Sequence, residues 1–373
     1  MIITGLELKD YRNYDSLNIN FDEKTNIFYG NNAQGKTNIL EAVYLACTTK
    51  SHRRSKDREI IKFGSDEAHL RLFLKKNNVD YRIDMHLRKN KKKAVAVNGI
   101  PIKKASELLG IAKIVFFSPE DLNIIKNGPA ERRRFTDMEL CQLNKLYLSD
   151  LVNYNKCMEQ RNRLLKDISS KFYKGGNIRD TLEIWDEQLI NYGSKVIDHR
   201  REFILKLSSV IRDIHRELTG SDDILELIYE NDVDPQNYRS KLKDAQNQDM
   251  KYCSTSVGPH RDDIKFSLAG IDLRKFGSQG QQRTVALALK LSEIELVRNM
   301  TKDEPVLLLD DVLSELDSNR QNFLLKSIGN IQTMVTCTGL DEFIKNRFEI
   351  DRVFNICNGK ASLNRINEAK MEE

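Results

Sequence analysis

The spacing of apolar residues changes period several times along the chain, and each change predicts an element. Residues 2–9 and 14–20 read as strands around the turn Asp10-Tyr11-Arg12-Asn13. Residues 25–29 are a short unbroken apolar run, the pattern of a buried strand. Helical spacing follows at once, through Ile39, Leu40, Val43, Tyr44, Ala46 and Cys47. Three β-type runs come next, at 68–76, 79–88 and 93–98, and Asn98-Gly99 signals a tight turn. A short helix around 104–109 and a strand at 112–117 lead to Ser118-Pro119, which suits a helix start.

From 137 to about 218 apolar residues recur by threes and fours. Leu140, Leu143, Tyr147, Leu151, Tyr154 and Met158 make one stripe, and Leu182, Trp185, Leu189, Tyr192, Val196, Phe203 and Leu207 continue a second beyond a break at Gly175-Gly176. The spacing predicts two long helices packed antiparallel along a seam close to a heptad repeat. Beyond them a polar loop at 257–263 precedes a strand at 264–268. A long helix opens at 276–283. Val306 to Leu309 then run unbroken into Asp310-Asp311, as in a parallel strand covered on both faces. A helix, a strand at 333–337 and a hairpin around Asn358-Gly359 follow.

The chemistry starts between the strand at 25–29 and its helix. Gly30-Asn31-Asn32-Ala33-Gln34-Gly35-Lys36-Thr37 fits G-x-x-x-x-G-K-[ST] at every fixed position, in the strand–loop–helix setting such a match requires. Glycines let the backbone turn so that successive N–H groups cradle phosphate oxygens, and the helix adds the positive end of its dipole. The loop predicts a bound nucleoside triphosphate. Lys36 is expected as an exposed loop charge that reaches the β- and γ-phosphates, and the Thr37 hydroxyl as a Mg²⁺ ligand. Asp310 ends its strand where open α/β sheets bind ligands, so its carboxylate is the second expected metal ligand. Asp311 is expected to orient or deprotonate the attacking water, and shares the catalytic role with Lys36. Ser278-Gln279-Gly280-Gln281 can cap a helix while leaving backbone N–H groups free for a phosphate.

Composition adds a partner and removes several classes. Residues 1–135 hold 26 Lys+Arg against 16 Asp+Glu, and the rest of the chain 34 against 39. That asymmetry suggests a polyanion for the N-terminal part. Arg53, Arg54, Lys56 and Arg58 follow the first helix, and Lys89 with Lys91, Lys92 and Lys93 mark a hairpin tip; both are candidate DNA-phosphate contacts without base readout. No apolar run approaches the ~18 residues of a membrane span, and no secretion signal is visible. Six cysteines without a C-x-x-C pair read as reduced thiols, so a cytoplasmic protein is expected, with neither a disulfide framework nor a zinc site.

The order of glycine loop, serine-glycine helix cap and acid-tipped strand resembles the ATP-binding-cassette ATPases, with Ser314-Glu315-Leu316-Asp317 similar to their D-loop. YRNY near the start, FSPEDLNIIKNGPAERRRF at 117–135, SVGPHRDD at 256–263 and GSQGQQRT at 277–284 resemble, more narrowly, the RecF family of bacterial DNA repair and recombination-mediator ATPases. The resemblance spans the chain. It implies an α/β fold: an ABC-type, SMC-like P-loop ATPase head (1–136 and 221–373) with an inserted α-helical arm (137–220). It places Arg12 as a nucleotide-contacting arginine and Ser278 to Gln282 as the signature that meets the nucleotide of a second subunit. It also implies ATP and Mg²⁺ as cofactors, an ATP-dependent homodimer on duplex DNA, slow DNA-stimulated hydrolysis, and RecO and RecR as partners in repair at gaps and stalled forks. Asp311 is one methylene shorter than the usual cassette Glu, and Thr336-Cys337-Thr338 carries no switch histidine. An ATPase of the OLD nuclease type and a transporter subunit are the alternative readings.

Overall fold

The helix Lys36–Thr48 is buried along nearly its whole length, so it must lie between layers rather than on one. The computed structural model, which describes residues 1–104, 107–170, 178–329, 331–339 and 351–364, supplies those layers. By internal contacts the chain forms two units, Met1–Asp121 with Glu293–Glu373 and Leu122–Ser292.

In the first unit an antiparallel sheet runs in the order Tyr14–Asn20, Ile2–Tyr11, Glu67–Lys76, Val79–Arg88, Lys91–Val97, Ile100–Pro101. Its alternation is regular: Leu70, Leu72, Leu74, Ile83, Met85 and Leu87 are buried, while His69, Arg71, Arg82, Asp84 and His86 take the other face. A second sheet runs Lys360–Asn364, Arg352–Cys357, Thr25–Tyr29, Thr333–Cys337, Val306–Asp310, Ile114–Phe117. All its pairings are parallel except the terminal hairpin. The helix Lys36–Thr48 packs against strands of both sheets. Val306–Asp310 is buried at every position with a parallel neighbour on each side, as its unbroken apolar run predicts.

In the second unit the helical stretch begins earlier than 137, at Pro129, whose missing N–H and fixed φ suit a first turn. It breaks at Asn144, whose side chain accepts from Leu146 and Tyr147 N–H and so caps Lys145–Ser169. That helix lies antiparallel to Ile178–Thr219: Tyr147 pairs with Arg200, and Arg161 with Asp186. The Gly175-Gly176 break lies outside the described residues, as do two residues of the helix expected at 104–109. The unit also holds a sheet Ile271–Asp272, Asp263–Leu268, Leu225–Glu230 and the short helices Tyr238–Asp244 and Gln246–Tyr252. It is therefore wider than the arm expected at 137–220. The strand Leu225–Glu230 escapes a sequence reading because a six-residue run with only two fully buried positions carries little periodicity.

Candidate nucleotide-binding site

The loop Gly30–Thr37 is shaped from two directions. Gly30 and Gly35 have φ of 149° and 112°, a region that side chains avoid. A Cβ on Gly30 would lie 2.3 Å from the Ile356 carbonyl, and one on Gly35 2.6 Å from the Asn13 amide. The turn before Tyr14–Asn20 grips the loop through Asn13 Nδ2 to Gln34 O (2.8 Å) and Tyr14 OH to Gly35 O (3.0 Å). The terminal hairpin holds it through Asn358 N to Gln34 Oε1 (2.7 Å). Asn31, Asn32 and Ala33 form the exposed crest. Of the expected binding residues, Gln34 thus spends its side chain on shape.

Lys36 is not the exposed charge expected. Only 7% of it is accessible, because its ammonium folds back onto the loop and donates to Gly30 O (2.5 Å) and Asn31 O (3.0 Å). Burial lowers its pKa, against the pull of Asp311, Cys337 and Asp310. The carbonyls hold the ammonium at the rim of the cradle, where a phosphate would draw it away. Thr37 Oγ1 donates to Asp310 Oδ1 (2.7 Å), so the two expected metal ligands touch. Burial raises the Asp310 carboxyl above the usual range, although the Thr37 and Thr336 hydroxyls work against it. A hydroxyl and a carboxylate on a strand and a helix start are hard oxygen donors that fit Mg²⁺, and a cation there would offset the cost of burying the charge.

Thr336 was missed by the sequence reading. It lies beside Asp310 in the parallel register, donates to Asp310 Oδ1 (2.8 Å) and accepts from Asp311 N (3.0 Å). One hydroxyl aligns both acids. Asp311 has φ 54°, a left-handed conformation that Asp tolerates better than most residues. Ser314 Oγ donates to its carbonyl at 2.8 Å.

Glu41 was missed too. It sits on the enclosed helix with no exposure, where an unpaired carboxylate would be costly. Arg12 grips it with Nε (2.8 Å) and one terminal nitrogen (2.7 Å), and Ser51 donates at 2.5 Å. Arg12 also donates to Glu59 O and Ser55 Oγ. The arginine expected to touch nucleotide is thus first a clamp between the β-turn, the helix and the basic connector. Burial alone would raise the Glu41 carboxyl; the hydrogen bonds from Arg12 and Ser51 outweigh it and hold the group below its ordinary value. A depressed carboxyl contributes stability that is fully present above its unfolded pKa and is lost as pH falls through the folded value. Glu41→Gln should therefore lose about 3 kcal/mol in urea unfolding at neutral pH, the low end for breaking a buried pair since Arg12 keeps some solvent. The difference from wild type should shrink in acid; a constant difference would refute the pairing.

In the second unit Ser278 forms a reciprocal capping box. Its Oγ accepts from Gln281 N (3.2 Å) while Gln281 Oε1 accepts from Ser278 N (2.9 Å). Ser278, Gln279, Gly280 and Gln281 are all exposed. A Cβ on Gly280 would point into open space, meeting no described atom within 4 Å outside its own stretch of helix.

The basic residues divide. Arg53, Arg54 and Lys56 are exposed on the connector, and Arg53 lies near enough to Asn38 and Asp310 to act on both. Lys91 to Lys93 do not form one patch, because the fold ties one of them down. Lys91 and Lys92 are exposed. Lys93 instead donates to Thr49 O (2.6 Å) and Asp57 (2.9 Å) and serves the fold.

Residues 2–361 match the family model described as RecF/RecN/SMC N terminal domain. A protein of Agathobacter rectalis named DNA replication and repair protein RecF is 60% identical over 363 residues, covering 97% of this chain and 99% of its own. The chain belongs to the RecF family. A solved structure of the recombination mediator protein RecF with ATP, of the RecFOR pathway, superimposes with a TM-score of 0.90 at 37% identity and covers 97% of both chains. An Smc head domain from Pyrococcus furiosus, at 17% identity and a TM-score of 0.56, shares the fold alone. This RecF-family chain thus has the ABC/SMC-like ATPase fold. Among the described residues, no helix is long and apolar enough to cross a membrane.

Proposed function

We propose that this chain binds ATP with Mg²⁺ on Gly30–Thr37, pairs with a second copy through Ser278–Gln281, and acts on duplex DNA in recombinational repair with slow hydrolysis. The observation that carries the reading is the Thr37–Asp310 contact at 2.7 Å beside a phosphate loop held rigid from both sides. Thr37 and Asp310 would hold the metal, which when bound neutralises charge on the β- and γ-phosphates. Loop N–H groups and Lys36 would orient the triphosphate. Asp311, set by Thr336, would hold the attacking water or accept its proton. The exposed connector residues Arg53, Arg54 and Lys56, with Lys91 and Lys92, are the proposed DNA-phosphate contacts, insensitive to sequence. RecO and RecR are the proposed protein partners, in keeping with the RecFOR pathway named for the structural relative. Near end-to-end similarity to proteins named for replication and repair supports this reading over an OLD-type nuclease or a transporter subunit.

Mixing two inactive variants tests the shared site. Ser278→Arg should keep ATP binding in the monomer but block dimerisation, because a bulky cation replaces the exposed cap. Mixed with Lys36→Met, it should form heterodimers in which one composite site is wild type and the other carries both lesions. ATPase activity is expected to recover in part on mixing. If Ser278→Arg alone dimerises with ATP as wild type does, Ser278 has no part in the interface.

A further inference from the structure

The outer face of the antiparallel sheet carries a side-chain constellation that the nucleotide chemistry does not use. His69 and His86 are directly opposite each other on Glu67–Lys76 and Val79–Arg88, and Glu67 precedes His69 by two, so all three project from one face. The imidazoles stack with centroids 4.2 Å apart and planes 21° apart. Both Nε2 atoms turn to the same carboxylate: His86 Nε2 lies 2.8 Å from Glu67 Oε2, and His69 Nε2 3.7 Å from Oε1.

We propose that Glu67, His69 and His86 form a Zn²⁺ site. Their ligand atoms lie within 4.8 Å of one another. A tetrahedral zinc with bonds near 2.0–2.2 Å needs neighbouring ligand atoms roughly 3.3 Å apart. The two measured separations bracket that value, and turning the two rings out of their stack would aim both Nε2 lone pairs and the carboxylate at one ion. Two imidazoles and one carboxylate are a donor set that takes zinc, whereas Mg²⁺ prefers oxygen. The site is therefore chemically distinct from Thr37 and Asp310. The three residues stand on paired strands and are held in register by the ladder, so little ordering is needed on binding. Their side chains keep 55%, 47% and 32% exposure, which leaves an entry path. Beside them a groove of about 500 Å³ is lined by both histidines with Glu7, Lys9, Arg71 and Asp84. A fourth zinc position would open to that groove and take water or an anionic group, as zinc centres with three protein ligands do.

The test is calorimetric titration of the tag-free, metal-stripped full-length protein with Zn²⁺, without nucleotide. Wild type should bind one equivalent that millimolar Mg²⁺ does not displace. His69→Ala and His86→Ala should each weaken that equivalent by more than about tenfold, the scale on which even supporting residues of metal sites act. Zinc held by cysteines would be unaffected by these variants, and an unchanged isotherm in the His69→Ala/His86→Ala double variant would overturn the assignment. A second readout needs no substitution: of the six histidine ring signals in the NMR spectrum, two should move together at one equivalent. Absence of such a pair, or failure of wild type to bind zinc, would leave the cluster as an ion-paired histidine ladder and refute the site.

Discussion

In Lys36→Met, ATP is expected to give no thermal stabilisation while the protein stays folded. A ligand at a hundredfold excess over its Kd stabilises a one-site protein by about 2.7 kcal/mol, and wild type should show that gain. The variant loses two hydrogen bonds, to Gly30 O and Asn31 O. Those carbonyls stand at the loop rim where water can replace the ammonium, so the apo protein should lose only about 1 kcal/mol per bond. Because Lys36 is tucked in rather than exposed, the apo melting curve has to be compared first. A variant that melts as expected yet gains as much from ATP as wild type would remove Gly30–Thr37 from nucleotide binding.

Asp311→Asn should bind ATP as wild type does and hydrolyse it ~10²–10⁴-fold more slowly, the usual consequence of losing a general base. Asn also tolerates the left-handed backbone at 311 and can keep the N–H to Thr336 Oγ1, so the geometry should survive the change. Single-turnover kinetics separate the chemical step from binding. Unchanged turnover would make Asp311 a neighbour of the site rather than a participant. If dimerisation is coupled to ATP as proposed, the variant should accumulate as the dimer in the presence of nucleotide.

The phosphate loop, the acid-tipped strand and the serine cap were legible because each is a local pattern whose chemistry demands fixed residue types. The alternating sheet and the helical hairpin were legible because periodicity reports which face is buried. Glu41, Thr336 and the Lys93 tether were not. A glutamate in a helix reads as solvated until both sheets close over it, and only then does Arg12 become its necessary partner. Thr336 acts across a parallel register between strands whose pairing no short window reveals. Lys91 to Lys93 look like one charge run on paper, but Thr49 and Asp57, distant in sequence, capture Lys93. The Glu67–His69–His86 face was invisible for the same reason, since His69 and His86 meet only when two strands pair. What depends on partners distant in sequence has to be seen folded.

The clamp on the phosphate loop has a bearing on how the protein is made. Gln34 is held by Asn358, 324 residues later, and Thr25–Tyr29 takes both its sheet neighbours from Thr333–Cys337 and Arg352–Cys357. A ribosome adding roughly 5–20 residues per second needs on the order of tens of seconds to supply them. Throughout that interval the nascent chain carries its central strand with both edges unpaired and its glycine loop without a mould. Open edges of this kind are where a growing chain meets other chains, so yield in the cell should depend on whatever shields the first thirty or so residues until the last strands emerge.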